Sequence, residues 1–221
     1  VIRRLKSDRR GPPAGQARGA VVFLHGYGAD GADLLGLAEP MAPHLPGVAF
    51  HAPDAPEACR MGGFGRQWFP IPWLDGSSEV EAGAGLARAA ADLDACLDEI
   101  LAAEGLAPGQ LALMGFSQGS MMALHVAPRR PAALAGVVAF SGRLIQPDRL
   151  AAEALTRPPV LLVHGDRDEV VPFADMGRAG VALDAAGFEV QGHVMRGTGH
   201  GIAPDGLGAA VAFLRAVMPA A

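Results

Sequence analysis

Six short, largely apolar runs set the strongest limit on how this chain can fold. They are GAVVFLH (19–25), GVAFHAP (47–53), QLALMGF (110–116), AGVVAFS (135–141), PPVLLVHG (158–165) and FEVQGHVM (188–195). A strand that is apolar on both faces has to be covered on both, which is the situation of a parallel sheet flanked by helices. The segments between the runs carry helical spacing, roughly over 30–43, 79–104, 117–130, 147–156, 173–187 and 205–218. In the longest, Leu86, Leu93, Leu97, Ile100 and Leu101 fall near one face. Asp92, Asp94, Asp98 and Glu99 lie mostly on the other, and Gly105 follows as a stop. Pro172 and Pro204 stand just ahead of the last two helices. The alternation predicts a three-layer α/β domain with a mostly parallel central sheet and helices on both faces. Ligands of such sheets sit outside the carboxyl ends of the strands, and functional residues are sought there.

At 221 residues and 50% hydrophobic, the chain can bury one large core, and neither a linker nor an internal repeat divides it. The expected organisation is an N-terminal segment over 1–18 and a single catalytic domain over 19–221. A net charge of −5 argues against a nucleic-acid partner, which calls for a basic face or stripe. The opening VIRRLKSDRR is locally basic and reads as a solvated terminal strand or tail rather than a targeting segment. No run of about 20 apolar residues is present, so membrane insertion is not expected. Cys59 and Cys96 form no C-x-x-C pair and read as reduced thiols of a cytoplasmic protein.

Residues 115–120, GFSQGS, contain a G-x-S-x-G pentapeptide centred on Ser117. With 30 glycines in the chain and few serines, chance alone supplies about 0.1 such match, so the pentapeptide needs context. The context is present: a buried-strand pattern runs into Ser117 and a helical pattern leaves it, as in a strand–turn–helix nucleophile elbow. Side chains at Gly115 and Gly119 would collide with the neighbouring strand and helix. The competing interpretation is an ordinary serine N-cap.

A serine hydroxyl needs a base, and histidine is the usual one. In this arrangement the acid and then the base follow the serine along the chain, which leaves His193 and His200. His193 lies in a strand pattern. His200 lies in the glycine-flanked loop RGTGHGIAP, which can bring an imidazole down onto the serine. The acid is Asp166 or Asp168, both just past the run PPVLLVHG, and spacing does not choose between them. Upstream, HGYGADGADL (25–34) follows the first strong strand. Gly26 and Gly28 would let backbone N–H groups of that loop face the top of the sheet as one half of an oxyanion hole. The amide of Gln118, just after the serine, supplies the other half.

Taken together, FLHGYG, GFSQGS, HGDRDEVVP and GTGH resemble the phospholipase/carboxylesterase group of α/β-hydrolases, over about residues 20–200. The resemblance implies an α/β-hydrolase fold without a large lid. It also implies Ser117 as nucleophile, Asp168 as acid and His200 as base, with His164 and Asp166 structural. The oxyanion donors it implies are the amides of Tyr27 and Gln118. RQWFPI (66–71) looks like the family's R-x-W-F stretch, which puts Trp68 near the acyl site; Pro70 stands where thioesterase members usually carry aspartate. The segment 57–78 also holds Met61, Phe64, Phe69, Ile71, Trp73 and Leu74. Phe64, Trp68 and Phe69 are the candidate apolar wall for an acyl chain, against the alternative that such residues only close the core. Family likeness further implies a cofactor-free, metal-free enzyme with a small-molecule ester substrate, and it allows a homodimer. The expected activity is carboxylesterase. The alternatives are an acyl-protein thioesterase or lysophospholipase for long chains and, in a different class, a non-catalytic binding protein on the same fold.

Overall fold

All six apolar runs are strands, and each of the six helical segments contains a helix. In the computed structural model, which describes residues 1–63 and 65–218, the strands are β1 (Ser7–Arg10), β2 (Gly19–Leu24), β3 (Val48–Pro53), β4 (Glu57–Ala58), β5 (Arg66–Gln67), β6 (Leu111–Phe116), β7 (Gly136–Phe140), β8 (Val160–Gly165) and β9 (Val190–Met195). The α-helices are α1 (Gly31–Leu35), α2 (Ala38–Met41), α3 (Pro72–Asp75), α4 (Glu79–Glu104), α5 (Gln118–Val126), α6 (Pro147–Glu153), α7 (Ala174–Ala185) and α8 (Pro204–Val217). The last helix begins on Pro204 itself, because a proline at the first helical position loses only an N–H that has no partner there.

Seven strands form one sheet in the order β1-β3-β2-β6-β7-β8-β9, parallel throughout except for β1 on the edge. Side chains alternate between two cores, as a pleated strand requires. Val22, Leu24, Leu111, Leu113, Val137 and Leu162 face the core that α4, α5, α6 and α7 cover. Val21, Phe23, Met114, Phe140, Leu161 and Val163 face the one under α1, α2 and α8. Parallel register places Leu24 beside Gly115, Gly115 beside Ala139, and Phe140 beside Val163. The loops after β2, β6, β7 and β8 therefore leave the sheet at one level. No helix among the described residues is long and apolar enough to cross a membrane.

The basic opening segment is tied down at its arginines. Ser7–Arg10 adds an antiparallel strand to the sheet. The Arg3 guanidinium pairs with Asp92 at 2.7 Å, and Arg9 reaches Glu104 through Nε at 2.6 Å. Asp92, on the face of α4 away from its apolar stripe, is thus buried under Arg3. Glu104 also accepts from His51 Nε2 at 2.9 Å. Its carboxyl is held down to about 2, chiefly by the Arg9 hydrogen bonds, against the opposing cost of burial and with further help from His51. A carboxylate with a depressed folded pKa stabilises above its unfolded value of 4.5, and that contribution is lost as pH falls toward 2. The expected result for Glu104→Gln is a melting temperature lower by about 5–10 °C at pH 7, equivalent to about 2–3 kcal/mol. Its difference from the unmodified protein should shrink on titration from pH 5 to 2.5, as read by scanning fluorimetry; a constant gap would rule the linkage out.

Candidate active site

Ser117 sits where β6 stops and α5 starts, with φ 54° and ψ −117°. A positive φ is strained for any residue with a side chain, and it holds the serine on a sharp turn. The turn tolerates no bulk behind it: a Cβ on Gly119 would overlap the Leu24 carbonyl of β2. Ser117 N donates to Phe140 O at 2.9 Å, and Ser120 Oγ donates to the same carbonyl at 2.7 Å, fastening the turn to β7. Although Ser117 occupies the N-cap position of α5, its side chain makes no capping bond. Among the described residues its hydroxyl makes no hydrogen bond at all, which is not how an N-cap serine behaves.

His200 and Asp168 come together as expected. His200 Nδ1 lies 2.8 Å from Asp168 Oδ2, and the Asp168 side chain is fully buried. The other carboxylate oxygen accepts the backbone N–H groups of Val170 and Val171, each at 2.9 Å. Burial alone would raise the pKa of Asp168; hydrogen bonds from His200, Val171 and Val170 outweigh it and hold the carboxyl below its ordinary range. An ionised Asp168 requires the proton of His200 on Nδ1, which leaves Nε2 as the basic atom. The imidazole packs against Phe116, ring centroids 4.8 Å apart, beside the residue that precedes Ser117.

Asp166 has a separate task. It accepts Gly197 N at 2.7 Å, and Arg167 N donates to Thr198 O at 3.0 Å, so the loop carrying His200 is stitched to the loop carrying Asp168. His164 Nε2 donates to Val171 O at 3.0 Å and lies 3.3 Å from Asp168 Oδ2, bracing the acid loop from below. His193 stays on β9 and faces Asp205 at 2.9 Å, away from the serine.

The loop after β2 comes down on Ser117. A Cβ at Gly26 would stand 3.4 Å from that of Ser117 and 3.3 Å from the Phe116 ring, so this loop lies directly against the nucleophile turn. Within the described residues the backbone N–H groups of Tyr27 and Gln118 donate to nothing; that of Gln118 opens α5, where helix geometry leaves it without an acceptor. His25 holds the loop from beneath. Its Nε2 accepts from Ala55 N at 2.9 Å, which makes Nδ1 the protonated atom donating to Gly26 O at 2.8 Å. Burial lowers the His25 pKa, in keeping with this neutral tautomer.

Two contributions lay beyond the sequence reading. The side chain of Gln118, fully buried, accepts from Trp68 N at 2.9 Å and donates to Phe69 O at 2.7 Å. It clamps the 66–71 segment to the start of α5. Trp68 itself has no exposed surface, and its indole N–H donates to His25 O at 2.9 Å. It therefore supports the loop after β2 from inside the core and, among the described residues, presents no surface to a substrate, which departs from its expected place in the acyl wall. Phe69 does line a cleft of about 360 Å³, together with Pro72, Trp73, Leu86, Leu144 and Ile145. Phe64 lies outside the described residues. Met61 is exposed and Ile71 is buried, so the apolar residues of 57–78 divide between wall, core and surface. Trp73, exposed at the end of this segment, forms part of that cleft wall.

A mostly parallel sheet covered on both faces, with a serine on a strained strand-to-helix turn and acid and histidine loops after later strands, defines an α/β-hydrolase fold. Comparison with known proteins narrows this. The Phospholipase/Carboxylesterase family matches residues 11–218, and the chain belongs to that family. The crystal structure of esterase PE8 superposes with a TM-score of 0.91 at 41% identity, covering 97% of this chain and 100% of that one. A probable carboxylesterase of Oryza sativa subsp. japonica is 31% identical over 210 residues, 88% of this chain and 76% of the relative. Acyl-protein thioesterase 1 of Saccharomyces cerevisiae is 28% identical over 218 residues, 90% and 92% of the two chains. The enzyme class is accordingly that of the carboxylic-ester hydrolases.

Proposed function

We propose that the protein hydrolyses carboxylic esters through an acyl-enzyme on Ser117, with His200 as general base and Asp168 as the acid that orients it. The observation that carries this reading is Ser117 itself: a positive φ at the strand–helix turn and a hydroxyl spent on no structural bond. Ser117 Oγ attacks the ester carbonyl while His200 Nε2 takes its proton. The imidazolium that forms keeps its Nδ1–H on Asp168. The negative charge on the carbonyl oxygen is met by the unspent amides of Tyr27 and Gln118, each such donor being worth about 10²–10³ in rate. His200 returns the proton to the departing alcohol, and water then cleaves the acyl-enzyme by the same path.

The acyl group enters the cleft beside Phe69, whose mostly apolar lining suits a hydrocarbon chain. The two free cysteines accord with a reducing compartment, and the reading places the enzyme in the cytoplasm. A fluorophosphonate probe tests the central claim. Intact-mass analysis is expected to find one adduct per chain, located at Ser117 by peptide mapping. A protein that hydrolyses p-nitrophenyl butyrate without being labelled, or is labelled elsewhere, contradicts it, and one with neither property favours a binding protein.

A further inference from the structure

The cleft beside Phe69 has a neighbour. A second cleft of about 320 Å³ lies against α7, lined by Leu144, Pro147, Asp175, Arg178 and Ala179. Arg143 lines both, so its side chain stands in the seam between them. It is held at two points. The guanidinium lies 4.9 Å from the centre of the Trp73 ring on α3, within the range of a cation–π contact. Its Nε donates to Asp175 Oδ2 at 2.7 Å, and Asp175, buried at the start of α7, takes Arg178 on its other oxygen at 2.7 Å. Arg143 thereby ties α7 to α3 between the two clefts, whose linings also share Leu144 and Pro147.

Arg143 is also close to the chemistry. Gly142, the residue before Arg143, packs on Ser117: a Cβ there would stand 3.2 Å from the Ser117 carbonyl oxygen. The wall opposite is set by Gln118, which holds Phe69 O at 2.7 Å. The residues on both sides of the cleft, Arg143 through Gly142 and Phe69 through Gln118, are thus fastened to the turn that carries Ser117.

We propose that Arg143, stacked on Trp73 and anchored by Asp175, is a specificity-determining residue that separates the two clefts and limits the length of acyl chain the enzyme accepts. This rests on the serine-esterase reading above. Removing its side chain joins the clefts. Each methylene given a place out of water is worth about fourfold, so two or three more raise long-chain kcat/KM by one to two orders of magnitude.

The test is the ratio of kcat/KM for p-nitrophenyl decanoate to that for the butyrate ester, at monomeric substrate concentrations, in the unmodified protein, Arg143→Ala and Arg143→Lys. The expected result is a ratio at least about tenfold higher in Arg143→Ala, carried mainly by a lower KM for the decanoate, with Arg143→Lys between the other two. A purely structural arginine would scale both esters alike. An unchanged or lower ratio, in variants that still take one fluorophosphonate per chain, overturns the proposal and leaves the esterase reading standing. An unmodified protein that takes no label overturns the esterase reading, and the proposal with it.

Discussion

Replacing Ser117 with alanine is expected to lower kcat on p-nitrophenyl butyrate by at least about 10⁴-fold while leaving the melting temperature within about 2 °C. The two halves of this result separate the rival roles of the residue. An N-cap serine contributes about 1 kcal/mol to stability, and its loss would lower the melting temperature and spare turnover. The hydroxyl of Ser117 makes no capping bond, so its removal takes nothing from the fold. The backbone strain at φ 54° stays the same with alanine, whereas glycine relieves it. Ser117→Gly should therefore be inactive and slightly more stable. Residual turnover of the alanine variant, from the amides of Tyr27 and Gln118 and from substrate binding, should persist at a low level. Turnover within tenfold of the original, in a sample free of other esterases, would sink the assignment of Ser117.

Asp168→Asn is expected to cost about 10⁴-fold near neutral pH, and the surrounding hydrogen bonds explain why so small a change matters. Val170 N and Val171 N both donate to Oδ1, so an asparagine in this place keeps its oxygen there and turns its amino group toward His200. An amino group donates where the carboxylate accepted. His200 Nδ1 must then be the unprotonated nitrogen, Nε2 carries the hydrogen, and the imidazole is unable to take a proton from Ser117. Side-chain volume is unchanged and both backbone donors remain satisfied, so the variant should fold. Asp166→Asn is the control. Its carbonyl oxygen can still accept Gly197 N, and activity should stay within about tenfold. Equal losses in the two variants, measured as kcat at pH 7–8, would contradict Asp168 as the orienting acid.

The central sheet was legible because burial on both faces leaves a plain mark in composition. Five of the six runs became strands buried on both faces, while FEVQGHVM became the edge strand β9, in which only Met195 is buried; α4 spans the predicted 79–104, with Ser78 capping its start and Gly105 in the left-handed conformation at its end. Elements without such a mark were missed or left open, the opening segment being read only as a terminal strand or tail. SDRR forms β1 at the sheet edge, where an antiparallel strand needs only its backbone and a few long side chains to lie on a neighbour. The short hairpin of β4 with β5, and α3 beyond it, are too brief for any periodicity to build up. The burial of Asp92 was not legible for a related reason. Helical spacing assigns a face, but burial of that face depends on what packs there, and the partner, Arg3, lies 89 residues away.

By itself, the chain determined which residue types could do the chemistry and in what order they come: a serine on a tight strand-to-helix turn, then an acid, then a histidine, with glycines where the backbone must come close. Those are local properties, set by sterics within a few residues. Tertiary structure alone decided which side chains face one another. Asp166 and Asp168 stand two residues apart in one turn, yet one holds a backbone amide of the histidine loop and the other holds the imidazole. Trp68 and Trp73 stand five apart in one apolar stretch, yet one is sealed in the core and the other lies exposed under a guanidinium. Where a side chain points in a loop is set by distant segments that pack around it, and no spacing along the chain records that.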